Sequence, residues 1–282
     1  MLRSLYSGVS GMRGFQTKLD VVGNNIANVN TVGFKRGRVT FQDLMSQTTQ
    51  GAMGPTDNRG GVNPMQVGTG AALSSIDTIH TQGHRETTEN PLDLQIEGDG
   101  YFAVQTPTGT AYTRAGNFYL DHDNYLVNAN GYYVLGFEGD EIGDSAAQPL
   151  QIVQGDYDPA NDDSSGVQSI SIEKDGTIVI VNENNETEEI GIVGLAVFSN
   201  PSGLEKMGEN LYRESTNSGT PNVYQPETNS AGSLISGALE MSNVDLAEEF
   251  TEMITAQRGF QANTRIITTS DEILQELVNL KR

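Results

Sequence analysis

Near the N-terminus, hydrophobic residues recur at Leu2, Leu5, Val9, Met12, Phe15, Leu19, Val22, Ile26 and Val29, always three or four apart. That spacing draws a narrow a/d-type stripe on one helix face and predicts a helix over residues 3–28. It would be about 40 Å long at ~1.5 Å per residue. Gly8, Gly11, Gly14 and Gly23 lie within it. Each costs roughly 0.5–1 kcal/mol relative to alanine and admits a close neighbour. At the other end, Leu246, Met253, Phe260, Ile267 and Leu274 stand seven apart. Phe250 and Val278 begin a companion row that Gln257, Thr264 and Asp271 interrupt. A second helix is predicted over 243–279, capped by Ser242 or Asn243, with Asp245, Glu248 and Glu249 at the positive end of its dipole. Neither stripe is apolar enough to stand alone, so each helix must be covered by the other or by further chains.

Between the ends the period changes from 3.6 to two. "LDLQIEGDGYFAV" alternates through Leu92, Leu94 and Ile96 and turns at Gly98–Gly100 into a second strand. Asn130-Gly131 and Asp175-Gly176 each separate two β-rich runs, the short-range signature of a hairpin. "IGIVGLAVF" reads as one further buried strand. The fold class is therefore α+β: long terminal helices paired as a coiled-coil-like inner domain, extended connectors, and a central β-rich domain. The predicted boundaries are 1–30 and 243–282 for the helices, 31–75 and 215–242 for the connectors, and 76–214 for the β-rich part. "QGAMGPTDNRGG" in the first connector reads as a flexible loop.

Charge narrows the function. The net charge of −21 argues against nucleic acid as a partner. Residues 138–190 hold 14 acidic residues and only Lys174 as a base, which reads as a solvated outer face. Residues 1–38 are basic and residues 240–282 acidic, a sign difference that favours association of the two ends. No cysteine is present, which removes disulfides and thiolate chemistry. The N-terminus lacks the apolar core of a Sec-type signal peptide, and no stretch is long and apolar enough for a membrane helix.

No catalytic constellation emerges. His80 and His84 have the i, i+4 spacing of a metal pair, but a glycine between them places them on strand and turn. "DHDNYL" at Asp121 starts like a calcium loop and then puts Tyr125 and Leu126 where an oxygen ligand and glycine are needed. "GDGYF" at Gly98 leads into no helix and so cradles no phosphate. No catalytic residue, cofactor or metal is expected.

The two ends resemble a known family. "LDVVGNNIANVNTVGFKR" is similar to the N-terminal signature of bacterial flagellar rod and hook proteins, and "GALEMSNVDLAEEFTEMITAQRGFQANTRIITTSDEILQELVNLKR" to the C-terminal one. "AYTRAGNFYLD" and "GLEKMGENLYRESTNSGTP" resemble parts of the middle domain they share. The signature residues are Asn24, Asn25, Asn28, Asn30, Gly33 and Phe34. The resemblance implies an axial subunit that self-polymerises helically. Its assembly residues would be Leu5, Val9, Met12, Phe15, Leu19, Val22, Ile26, Leu246, Phe250, Met253, Phe260, Ile267 and Leu274. Implied partners are further copies, other axial proteins (rod, hook cap, hook–filament junction) and the flagellar type III export apparatus, with the protein located in the flagellum after export. "MLRSLYSGVSGM" and "LVNLKR" point to a short hook protein, a curved torque-transmitting joint, with a distal rod subunit as the alternative. An adhesin or assembly factor carrying flagellar termini is the remote rival. The asparagines and Gly33 are expected to end the first helix and reverse the chain, leaving Lys35, Arg36 and Arg38 to meet the acidic C-terminal segment or a neighbouring subunit.

Overall fold

The computed structural model describes residues 2–55, 59–138, 147–152, 167–182 and 187–280. Of the 14 acidic residues in 138–190, nine lie outside these residues. The chain divides into two compact units. The helical unit comprises Met1–Ala27, Gly37–Ile79 and Val244–Arg282, and the β unit Asn28–Arg36 and His80–Asn243. No helix among the described residues is long and apolar enough to cross a membrane.

In the helical unit, α1 (Leu2–Ala27) and α2 (Leu246–Leu280) pack together. The α1 glycines set where neighbours come close. A Cβ on Gly8 would lie 3.3 Å from Ile267, one on Gly11 2.6 Å from the Asn263 amide, and one on Gly14 2.8 Å from the Phe41 ring. Gly259 of α2 lies under Phe15 in the same way. The second row of α2 differs from the sequence reading. Alongside Met253, Phe260, Ile267 and Leu274, the less exposed positions are Ala256, Asn263 and Ser270, whereas Phe250 and Val278 are 49% and 66% exposed. Small residues at close approach, not bulky ones, complete this face. Asp245 is the N-cap, its Oδ1 accepting from the Ala247 and Glu248 amides at 2.8 and 3.4 Å. The Asn243 side chain is already engaged within the β unit by the Arg36 amide and Thr81.

The first connector is not an extended loop. β1 (Gly37–Asp43) pairs antiparallel with β4 (Ala71–Thr78), and β2 (Ser46–Gln50) with β3 (Met65–Gly68). A bridge between Met53 and Val62 carries the pairing into the "QGAMGPTDNRGG" segment, of which residues 56–58 are not described. The ladder is made by backbone bonds between largely polar strands, supported by pairs such as Arg38 opposite Asp77, 3.5 Å apart. An open groove of 490 Å³ lies between this ribbon and α1, lined by Tyr6, Val9, Arg13, Leu44 and Leu73 among others.

In the β unit, β5 (Arg85–Thr87) and β6 (Leu94–Glu97) precede an antiparallel sheet. Its strands are β7 (Tyr101–Thr106), β8 (Gly109–Thr113), β9 (Phe118–Leu120), β10 (Leu126–Asn128), β11 (Tyr133–Glu138), β12 (Gln148–Pro149), β13 (Val167–Ile172), β14 (Thr177–Asn182), β15 (Thr187–Val193), β16 (Leu195–Val197), β17 (Glu205–Gly208), β18 (Leu211–Arg213) and β19 (Asn222–Tyr224). The backbone of the sheet runs β13-β14-β15-β11-β7-β8-β18-β17. β7 shows why the sheet is well buried. Phe102 and Val104 point into one core with Phe118, Leu195 and Leu234, and Tyr101 and Ala103 into a second with Tyr112, Phe198 and Tyr212. Both hairpins form where the turn residues place them, with Gly131 at φ +79° and Gly176 at φ +85°. "IGIVGLAVF" is two strands and not one. It breaks at Gly194, where a Cβ would meet Val223 at 2.8 Å, and β15 and β16 then follow different partners. The return segment is also structured: β20 (Ser233–Ser236) pairs with β6 and β21 (Ala238–Glu240) with β5.

Candidate assembly surface and buried ion cluster

In the helical unit, the predicted stripe of α1 lies on its less exposed face. Leu5, Val9, Met12, Phe15, Leu19 and Ile26 are half-buried and Val22 is buried. On α2, Met253, Phe260, Ile267 and Leu274 are half-buried, whereas Leu246 and Phe250 are exposed. Exposed large apolar residues continue down α2 through Ile254, Ile266, Ile273, Leu277, Val278 and Leu280. The ribbon adds Met45, 85% exposed, with Met53, Met65 and Ile76. Apolar surface on this scale marks a face that another molecule covers.

The asparagine-rich turn separates into roles. Asn24 and Asn30 are exposed, and the Thr31 hydroxyl donates to Asn28 Oδ1 at 3.1 Å. Asn25 is buried near the end of α1. Its Nδ2 donates to the Gly37 carbonyl and its Oδ1 accepts from the Gly37 amide, both at 2.9 Å. The side-chain amide thus pairs with the first residue of β1 as a neighbouring strand would. The same Nδ2 lies 3.2 Å from both carboxylate oxygens of the buried Glu249 on α2. One residue therefore ties together α1, the ribbon and α2.

The β unit contains a cluster in which Lys35 meets the first residue of the acidic C-terminal segment, as the sequence reading expected, together with Arg114, which that reading missed. Lys35, Glu240 and Arg114 are 1%, 1% and 5% exposed. Glu240 Oε1 accepts from Lys35 Nζ at 2.7 Å and from the Gly83 amide at 2.8 Å, while Oε2 accepts from Arg114 Nε at 2.6 Å. Lys35 Nζ also donates to the Thr81 carbonyl, and the Arg114 guanidinium to the carbonyls of Ile96, Gly98 and Gly100. Burial pushes the Lys35 ammonium down from its ordinary pKa, against the pull of Glu240. Burial would raise Glu240, but Arg114 and Lys35 together hold it below the usual carboxylate range.

Gly33 makes the preceding turn. It sits at φ +68°, its amide donates to the Glu240 carbonyl at 2.8 Å, and a Cβ would lie 2.6 Å from the Ala115 nitrogen. Phe34 is buried with Lys206 Nζ 5.0 Å from its ring centroid. The faint sequence signal for the cluster is parity in β21, where Glu240 shares a strand face with buried Ala238; Arg114 lies just past the end of β8.

His80 and His84 do not face one metal. The Tyr101 hydroxyl and His80 Nδ1 are 2.6 Å apart, and His84 is exposed. Burial, with Lys35, Lys206 and Arg114 nearby, lowers the His80 pKa to about 4. Among the described residues there is no group of three or more side chains placed to hold a metal ion.

The chemistry on display is cohesion: bonded buried charges in one unit and uncovered apolar surface in the other. That combination defines a structural, assembling protein. Comparison with known proteins identifies which kind. Three family models match: "Flagella basal body rod protein" over residues 5–35, "Flagellar hook protein FlgE/F/G D1 domain" over 95–180, and "Flagellar basal body rod FlgEFG protein C-terminal" over 235–280. The flagellar basal-body rod protein FlgG of Bacillus subtilis is 55% identical over 283 residues, covering all of both chains. FlgG of Borreliella burgdorferi is 37% identical over 287 residues, and the hook protein FlgE of the same organism is 33% identical over 441, each covering all of both chains. The chain belongs to the flagellar rod and hook family of axial proteins. Proteins of this family are structural and not enzymatic, reside in the flagellum, and polymerise with other flagellar components.

Proposed function

We propose that the protein is a distal rod subunit of the flagellar basal body, part of the drive shaft, and not the hook subunit that its termini first point to. The observation that carries this reading is a pair of alignments within one organism. The Borreliella rod protein aligns over 287 residues, close to the 282 of this chain, while the hook protein needs 441. A hook relative therefore carries long insertions that have no counterpart here, whereas the rod relatives match end to end. The shared terminal motifs cannot separate the two, because both kinds of subunit build the same helical inner part.

In this role the terminal helices and ribbon are completed by neighbouring copies, and the β unit forms the outer body of each subunit. The uncovered residues from Phe250 to Leu280 supply the apolar area for those contacts. Subunits reach the growing tip through the flagellar type III export apparatus, and the next axial segment joins their distal end. Deleting the gene and imaging basal bodies tests the assignment. Rods that stop short and bear no hook support it; complete rods lacking only the hook return the hook reading.

A further inference from the structure

Among the described residues, Glu240 is the only anion that the Lys35–Arg114 pair contacts, and it is the last of the three along the chain. It follows Lys35 by 205 residues and Arg114 by 126. The two cations differ in what remains without it. Arg114 keeps three backbone carbonyls as acceptors, while Lys35 keeps the Thr81 carbonyl alone. The segment around Glu240 also fills a slot made by early parts of the chain. Its carbonyl accepts from the Gly33 amide, its carboxylate accepts from the Gly83 amide, and the Met241 amide donates to the His84 carbonyl. The slot is tight: a Cβ on Gly83 would lie 1.9 Å from the Met241 oxygen. The Asn243 amide donates to the Phe34 carbonyl and the Arg36 amide donates to Asn243 Oδ1, so residues 33–36 and 240–243 are bonded along their length.

We propose that Glu240 is a completeness latch: segment 28–36 docks on the β unit only once residues 238–243 have arrived. Before that point, docking would bring the Lys35 ammonium beside the Arg114 guanidinium with no counter-charge between them, which is unfavourable. The main sheet, from Tyr101 to Tyr224, lies wholly before the latch in sequence and does not need it to pair. A chain that has delivered its sheet but not its C-terminal part therefore holds its N-terminal signature segment open. This inference rests on the geometry of the β unit and stands whichever axial position the subunit occupies.

Amide hydrogen exchange on the full-length chain, followed by mass spectrometry, tests the latch. In Glu240→Gln the peptides spanning 32–36 and 81–84 are expected to exchange about tenfold faster or more, while β7 and β8 keep their protection. Adding Lys35→Met removes the stranded cation and should restore protection at 32–36. Unchanged exchange at 32–36 in Glu240→Gln overturns the proposal. So does an equal loss across β7 and β8, which would make the cluster one more contributor to global stability. If Glu240→Gln alone does not fold, the double variant decides: a folded, protected chain supports the latch, and a chain that still fails to fold overturns it.

Discussion

The helical unit and the β unit are built from similar residue types and treat them oppositely. In the β unit, large apolar side chains are covered on both faces of the sheet, and among the described residues only Tyr119 and Met207 are exposed large hydrophobics. In the helical unit, the buried apolar residues are Val22, Val244 and Ala256, while α2 and the ribbon present a long series of uncovered ones. Ordering a residue costs about 1–2 kcal/mol in backbone entropy, and a well-buried large apolar side chain returns roughly 1.5–3 kcal/mol. The β unit meets that demand from within its own chain. The helical unit, with a 35-residue helix and hardly any core, does not. If stability and assembly are housed in separate parts of one subunit, as this difference suggests for the proposed role, mutations should sort by unit.

The largest expected effect falls in the β unit. Phe102 is fully buried and packs edge-on against Phe118 with ring centroids 5.0 Å apart. Phe102→Ala should lower the stability of this unit by about 3–5 kcal/mol, read by denaturant titration of tyrosine fluorescence. Gly33→Ala comes next. It forces a side chain into a left-handed conformation and against the Ala115 backbone, for a loss of about 1–3 kcal/mol that the same titration reports. In the helical unit, Asn25→Ala removes the side-chain partner of the Gly37 backbone and a donor to the Glu249 carboxylate, at about 1–3 kcal/mol. Its loss should appear in helical circular dichroism while the β unit melts as before. A β unit that softens equally would break the division drawn here.

Acid should also act on the β unit first. His80 titrates near pH 4 in the folded chain and near 6.5 when unfolded, so the unfolded state binds the extra proton between these values. The stabilisation from keeping this ring neutral is complete above pH 6.5 and is lost as the pH falls towards 4. Glu240, held below the ordinary carboxylate value, adds a further loss at lower pH as it protonates. His80→Gln should flatten the stability profile between pH 6.5 and 4 while leaving the drop below 4. An unaltered slope in that window would show that other groups set it.

Much of this division was legible in the sequence, for identifiable reasons. A three-and-four repeat survives tertiary packing, so both helices could be read from Leu5 to Ile26 and from Met253 to Leu274. The Asn130-Gly131 and Asp175-Gly176 turns were legible because positive φ leaves few residue choices. The ribbon was not, because "SQTTQ" has no apolar alternation and the alternating runs beside it, Val39–Phe41 and Met65–Val67, are too short to stand out; their pairing is backbone bonding plus isolated contacts such as Phe41 on α1. Opposite charge at the two ends pointed Lys35 towards the acidic C-terminal segment, but the Glu240–Arg114 pairing was hidden by distance, since no local pattern announces a partner 126 residues away. Asn25 was read as part of a helix ending, whereas its amide stands in for a strand. Rod against hook was hidden for a different reason. Rod and hook relatives both match along the whole chain, and they differ in alignment length, 287 against 441 residues in one organism.

The sharpest test of the comparison uses the smallest change to the isolated subunit. Ile273 and Leu277 lie one turn apart on α2 and are each 48% exposed. Replacing both with serine removes apolar surface already in contact with water, so the monomer should change by no more than about 0.5 kcal/mol per site. If neighbouring copies cover this face, the same substitutions forfeit burial worth about 1 kcal/mol at each position, by the ~25 cal/mol per Å² that apolar area contributes. Two such losses at every subunit should raise the concentration needed for polymerisation by roughly tenfold or more. Light scattering during assembly, beside a thermal melt of the monomer, separates the two quantities. A normal melt with impaired polymerisation would place the function of α2 outside its own fold. A shifted melt with normal polymerisation would mean that this face belongs to the monomer after all.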